Sequence, residues 1–321
     1  YALYSRKVNE IYQEFTDLVE PFGIDESWLD VTGVLHLFGS GKEIADKIRK
    51  TIWERLELTV SVGVSFNKIF AKLGSDYKKP DATTVITREN FREILWPLPV
   101  SRLLYVGRVT RDTLSRIGIR TIGQLAKTDR QGMVNLLGKT GGMLHDYANG
   151  IDESPVKSAY GEQDIKSVGN GTTFSHDLLG YEEIRTEVFQ LSDEVARRLR
   201  KYEVKAQAIS VMIKDPKFKT ISRQKSLHAP TFLTREIADT AMELIKTSWN
   251  ENAPVRSITV TGMNLVPEGQ AVEQLSLFDQ IEDFDKERFE KLDQTVDELR
   301  ERFGKRVIGT GGAIRGRAKD N

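Results

Sequence analysis

No cysteine occurs in the 321 residues. That removes disulfides, thiolate metal sites and cysteine nucleophiles, and it is the usage expected of a cytoplasmic protein. Histidine is nearly as scarce. His36, His145, His176 and His228 are widely scattered, which argues against a histidine-ligated metal. No apolar run approaches the length that spans a bilayer, so no membrane partner is expected. The chain opens Tyr-Ala-Leu-Tyr, with neither Met nor a signal-peptide pattern, the opening expected of a fragment. Net charge is also missing: 47 basic side chains balance 47 acidic ones, which by itself speaks against a polyanionic partner.

The local distribution reverses that last exclusion. Residues 1–30 carry a net charge of −5, residues 101–130 carry +5, and residues 196–228 carry +8. Charge segregated in this way suits an acidic metal site flanked by basic surfaces for a polyanion. A hydrophobic content of 39% and a charged content of 29% are those of a globular protein, and the length suggests two or three domains.

The acidic segment centres on Gly23-Ile24-Asp25-Glu26-Ser27-Trp28-Leu29-Asp30. Adjacent side chains on an extended strand point to opposite faces, so Asp25 and Glu26 converge only if the backbone turns there, as at a hairpin bend. Gly23 supplies a permissive residue before the pair. Converging carboxylates are what a hard divalent cation requires. Taken alone, the pair also reads as a solvated surface turn.

Around it, Val8, Ile11, Tyr12, Phe15 and Val19 lie at helical spacing over residues 5–19. Gly39-Ser40-Gly41 starts a second amphipathic helix with Ile44, Ile48, Ile52 and Leu56. Val60, Val62 and Val64 alternate with small residues, predicting a half-buried strand over 59–65. Asn67 opens a short helix, and Thr83–Ile86 predicts one more strand. Together these form an α/β layer whose sheet is open on the face bearing the two acids. Pro97 and Pro99 mark a boundary to a small, helical, basic region. There Gly107 is expected to make a tight turn before a helix whose free N–H groups meet a phosphate, with Arg108 and Thr110 beside it. Gly138 to Gly142 suggests a partner hairpin; a plain helical linker domain is the other reading.

A polar linker leads to strand, helix, strand, strand, helix, strand: four antiparallel strands with both helices on one face. The uncovered face must be polar. Along residues 219–226 one side carries Thr, Ser and Gln and the other mostly Lys and Arg, which suits either solvent or a phosphate backbone. Gln274-Leu275-Ser276-Leu277-Phe278 has no obvious place to pack and reads as a peptide that docks into a partner's apolar pocket. A last amphipathic helix over 284–303 precedes a Gly-rich basic end.

Ile24 to Thr32 resembles the catalytic signature of the Y-family translesion DNA polymerases of the DinB/UmuC type. Val62-Gly63-Val64-Ser65-Phe66-Asn67-Lys68 and Ala71 to Pro80 resemble the rest of that family's palm. The expected organisation is therefore α+β and multidomain. It comprises a partial palm over 1–98, a helix-hairpin-helix thumb over 99–155, a linker over 156–164, a βαββαβ little finger over 165–267, and a clamp-binding peptide with a C-terminal tail over 268–321. The resemblance implies template-directed DNA synthesis past damaged bases, within an SOS-type damage response, by two-metal nucleotidyl transfer. Asp25 and Glu26 would be two of three catalytic carboxylates holding two Mg²⁺ ions, and Lys79 would contact the incoming deoxynucleoside triphosphate. Lys72 and Asp76 match the same helix, and Asp30 is expected to support structure rather than bind metal. Gly107, Arg108, Thr110, Lys166, Ser167 and Arg223 would grip primer-template DNA. Gln274, Leu275, Leu277 and Phe278 would bind a sliding clamp. The third carboxylate and the fingers, which precede this part of the palm in the family, are expected to have no counterpart here. A truncated, non-catalytic DNA- and clamp-binding module is the alternative. A palm-type nucleotidyl cyclase would leave the thumb and the basic unit without purpose.

Overall fold

Residues 1–158, 165–270, 283–304 and 307–309 are described by the computed structural model. Contacts divide the chain into two units, Tyr1–Glu162 and Gln163–Asn321.

The first unit begins with helix α1 (Ala2–Gln13), followed by an antiparallel hairpin of β1 (Val19–Pro21) and β2 (Ser27–Leu29). The helix stops earlier than its apolar spacing predicts. The Thr16 hydroxyl donates to the Asp30 carbonyl at 2.7 Å and accepts the Leu18 N–H at 3.2 Å, so local side-chain bonding replaces the next helical turn. Phe15 stays buried without being helical, and Val19 joins β1.

After a single turn, α2 (Leu35–Phe38), Ser40 caps α3 (Gly41–Leu56) in a capping box with Glu43. Ile44, Ile48 and Ile52 of α3 bury themselves against Ile11 and Phe15. The strand predicted over 59–65 is only β3 (Val62–Val64), since its one ladder partner among the described residues is the equally short β4 (Thr83–Val85), parallel to it. Helix α4 (Lys68–Tyr77) joins them, capped by Asn67, whose side chain accepts the Phe70 N–H at 2.8 Å. The hairpin and the β3–β4 pair are separate two-stranded sheets, not the single open sheet expected.

A second core starts with Phe70 and Leu73 of α4 and runs through Ile86, Phe91 and Leu95 of α5 (Phe91–Leu95). It continues through Leu114 of α6 (Arg108–Arg116), Ile122 and Leu125 of α7 (Ile122–Ala126), Met133 of α8 (Arg130–Leu137) and Leu144 of α9 (Lys139–Ala148). Apolar packing thus passes without a break through the boundary expected at residue 98. The turn before α6 differs from expectation. Gly107 sits at φ −78° as the N-cap, and the left-handed residue is Tyr105 at φ +68°. Gly138, at φ +65°, makes the expected turn between α8 and α9.

The second unit holds β5 (Ser167–Leu178), α10 (Gly180–Lys201), β6 (Val204–Lys214), β7 (Thr220–Thr231), α11 (Thr234–Ser248) and β8 (Val255–Pro267). The sheet order is β5-β8-β6-β7, antiparallel throughout. Val188, Leu191, Val195 and Leu199 of α10 and Ile237, Ala241 and Ile245 of α11 share one core with Ile209, Val211, Ile213, Ile258 and Val260 of the sheet. Both helices therefore cover the same face, as the spacing predicts. A final helix, α12 (Asp283–Phe303), is bound to this unit by ion pairs: Arg200 meets Asp297 at 2.7 Å and Asp293 at 3.0 Å, and Arg300 meets Asp193 at 2.7 Å.

Candidate active site

Pro21 ends β1, and the chain reverses over Phe22 to Glu26, where the N–H groups of Phe22 and Gly23 both donate to the Glu26 carbonyl, at 2.9 and 3.2 Å. Asp25 and Glu26 thus lie on the bend, where two successive side chains need not diverge. The hairpin is held from both sides. Ser27 donates its hydroxyl to Asn9 of α1 at 2.9 Å, and the Trp28 indole N–H donates to the Lys68 carbonyl of α4 at 3.0 Å. The Lys68 ammonium lies 5.2 Å from the centre of the Trp28 ring and 2.6 Å from Glu20.

Helix α4 faces the hairpin with a charged side opposite its buried Ile69, Phe70 and Leu73. Lys72, only 16% exposed, lies 3.2 Å from Glu26 Oε1 and 2.5 Å from Asp76 Oδ2. Asp76 Oδ1 is 2.6 Å from the Lys79 ammonium. Four side chains therefore form one chain of alternating charge: Glu26, Lys72, Asp76, Lys79. Burial works against the charge on Lys72, but Asp76 and Glu26 outweigh it and hold its pKa above the ordinary lysine value. Burial likewise opposes the Asp76 charge, and hydrogen bonds from Lys72 and Lys79 hold its pKa below the usual carboxylate range. Asp30 is occupied differently, its carboxylate accepting the Thr32 N–H at 2.9 Å.

Asp25, Glu26, Lys72 and Lys79 line a cavity of about 720 Å³, whose lining also includes Val8 and Tyr12 of α1, Ile44 and Ile48 of α3, and Val62 and Val64 of β3. Burial pushes the Tyr12 phenol up to about 12, so it stays protonated at neutral pH and cannot serve as a base there. Among the described residues no three Asp, Glu or His side chains gather into a cation site. The pair at the bend still suits Mg²⁺, which binds proteins through one or two carboxylates and completes its shell with substrate phosphates and water.

The other candidates fall in separate places. Arg108 and Thr110 open α6, where Gly107 brings no side-chain cap and the first N–H groups are left to an outside acceptor. Lys166 and Ser167 are exposed at the start of β5. Arg223 pairs in register with Val211, a core residue, and lies between Ile221 and Lys225, which pair with Ile213 and Ile209. Arg223 is therefore on the helix-covered side at the sheet's edge, not on the open face. That face carries Ser210, Thr220, Ser222, Gln224, Thr259 and Thr261, with Gly169 and Gly171 opposite the two β8 threonines. Gln274, Leu275, Leu277 and Phe278 lie outside the described residues. The tie between Glu20, Lys68 and Trp28 escaped sequence reading; its only linear trace is the i, i+4 spacing of Lys68 and Lys72.

A family model described as the impB/mucB/samB family matches residues 1–76, and its C-terminal domain model matches residues 165–277. The chain is 46% identical over 304 residues to DNA polymerase IV of Acetivibrio thermocellus, covering 95% of this chain and 75% of that protein. The chain belongs to the Y family of DNA polymerases. Family members from other bacteria match over similar spans. DNA polymerase IV of Clostridium kluyveri is 36% identical, over 98% of this chain and 79% of its own length. DNA polymerase IV 1 of Bacillus subtilis is 37% identical, over 97% and 74%. A solved chimeric Y-family DNA polymerase superimposes with a TM-score of 0.70 at 24% identity, over 83% of this chain and 76% of that one. That likeness concerns the fold, and it agrees with the family assignment. Among the described residues no helix is long and apolar enough to cross a membrane.

Proposed function

We propose that this chain carries out template-directed DNA synthesis past damaged bases, joining a deoxynucleoside triphosphate to a primer end. The observation that carries the reading is the bend of the β1–β2 hairpin, which presents Asp25 and Glu26 to the same cavity as Lys72 and Lys79. Phosphoryl transfer needs charge neutralisation and positioning more than covalent help. Asp25 and Glu26 would hold Mg²⁺, two ions in the complete site, which neutralises triphosphate charge and activates the primer oxygen. Lys79, about half exposed and paired with Asp76, is placed to turn to the triphosphate and stabilise charge growing on it. The open first turn of α6 with Arg108 and Thr110 would take one DNA phosphate, and Lys166, Ser167 and the hydroxyl-rich face of the β5-β8-β6-β7 sheet would take others. Base identity would then come from template pairing. Residues Gln274–Phe278 would dock this enzyme on a sliding clamp.

The test is single-nucleotide insertion on a primer-template in Mg²⁺, comparing wild type with Glu26→Gln and Asp25→Asn. Each variant should lose at least about a hundredfold in rate, as expected when a charge-stabilising group is removed. Insertion by Glu26→Gln at the wild-type rate would overturn the assignment.

A further inference from the structure

The positive charge facing Glu26 is built into the fold. The Lys72 ammonium lies between two carboxylates, 3.2 Å from Glu26 and 2.5 Å from Asp76 one helical turn further along α4. A cation arriving at Glu26 meets this ammonium, and like charges a few ångströms apart repel more strongly in a partly buried setting than in water. An ammonium at 16% exposure that lost Glu26 with no other partner would be left half-desolvated and unpaired, a costly state. Asp76 supplies the other partner within the same hydrogen-bond radius, so Lys72 can give up Glu26 without moving far.

We propose that Lys72 and Asp76 are positioning residues that form a counter-charge switch on Glu26. Lys72 neutralises Glu26 while no divalent cation is bound, and Asp76 takes over the ammonium when one enters, so the two together set the cation affinity of the site. The inference rests on the reading of Glu26 as a metal-binding carboxylate. Lys72 lowers the affinity by competing for Glu26. Asp76 raises it, and does so through Lys72.

Mn²⁺ binding to the whole chain, followed by electron paramagnetic resonance of the free ion, tests this without any turnover. The variants are Lys72→Met, Asp76→Asn, the two combined, and Glu26→Gln; Lys72→Gln replaces Lys72→Met if the latter does not fold. Lys72→Met should tighten binding, and Asp76→Asn should weaken it, each about three- to tenfold, the range a partly exposed charge pair commands. In the Lys72→Met background, Asp76→Asn should change the affinity by less than about twofold, because its route to Glu26 is gone and only Lys79 remains for it to hold. Asp76→Glu should restore wild-type binding. An equal loss from Asp76→Asn with and without Lys72 would mean that Asp76 acts only through its own field, and the switch would be wrong. Unchanged binding in Lys72→Met would also overturn it. Glu26→Gln separates the two layers: Mn²⁺ binding that is absent in wild type or indifferent to Glu26 removes the metal reading itself, and the switch falls with it.

Discussion

Glu20 Oε2 sits 2.6 Å from the Lys68 ammonium and accepts the backbone N–H of Lys157 at 2.7 Å, so one carboxylate joins β1, α4 and the segment that follows α9. Both partners are close to the acidic bend: Lys68 opens α4 beneath Trp28, and Glu20 is paired in register with Trp28 across the hairpin. The hairpin that presents Asp25 and Glu26 is thus pinned at its base by charge, in addition to the burial of Val19 and the packing of Leu29 against the core of α1 and α3.

That pin predicts a pH dependence. Burial pushes the Glu20 carboxyl up, but the hydrogen bonds from Lys68 and Lys157 outweigh it and hold its pKa below the ordinary glutamate value. A depressed folded-state pKa stabilises fully above the unfolded value, near 4.5, and the contribution is lost as pH falls through the folded value. Glu20→Gln should cost about 1 kcal/mol at pH 7, the low end for a charged hydrogen bond that still meets solvent. The gap between wild type and variant should begin to narrow in urea unfolding once the pH drops below about 5, and go on narrowing as the pH falls through the lowered folded value. A gap that is constant with pH would show that the charge of Glu20 is not what matters.

Gly63 makes a packing prediction within the same unit. A Cβ there would stand 1.9 Å from the Ala71 carbonyl oxygen and 2.5 Å from the Ser75 N–H nitrogen, both backbone atoms of α4 that cannot swing aside. Gly63→Ala should therefore push β3 off α4 and cost about 2–3 kcal/mol, the scale of overpacking, with a lower thermal midpoint. Since α4 carries Lys72 and Asp76, insertion should fall more than stability alone accounts for.

Much of this architecture is legible in the sequence, for reasons that differ by element. Ser40 and Glu43 spell out a capping box, Asn67 is a strong N-cap, and the second unit alternates period-2 and helical segments without ambiguity. The bend at Asp25-Glu26 follows from two adjacent acids and Gly23. The end of α1 does not, because Phe15 and Val19 continue the helical spacing while Thr16 bonds to Asp30, fourteen positions away. The side of β7 on which Arg223 lies has a local signal too: Ile221 shares that side and marks it as core-facing. The contact between Lys72 and Glu26 is tertiary, and no local pattern encodes it.

Helix α12 is fastened by Arg200, which is 8% exposed and shared among Asp293, Asp297 and the Phe232 carbonyl. Arg200→Met would take from Asp293 and Asp297, both largely out of water, their paired guanidinium, a loss of about 3 kcal/mol. The cost should appear locally, as faster amide hydrogen exchange in α12 with the β5-β8-β6-β7 sheet unaffected. Loss confined to the sheet would refute the fastening role.

The placement of Arg223 separates two ways for the second unit to hold DNA. If the hydroxyl-rich face carries the phosphates, Lys166 at the head of β5 contributes and Arg223, opposite Val211 on the other side, does not. Each lysine or arginine that neutralises a phosphate adds about one unit to the slope of log affinity against log salt. Lys166→Ala should therefore lower that slope by about one and weaken binding to any duplex sequence alike. Arg223→Ala should leave both slope and affinity within error, while Ser222→Glu and Thr259→Glu, which put charge on the open face, should weaken binding steeply at low salt. Filter binding from low to high salt decides the matter. A slope that drops on Arg223→Ala and holds on Lys166→Ala would move the DNA to the sheet's edge and away from its open face.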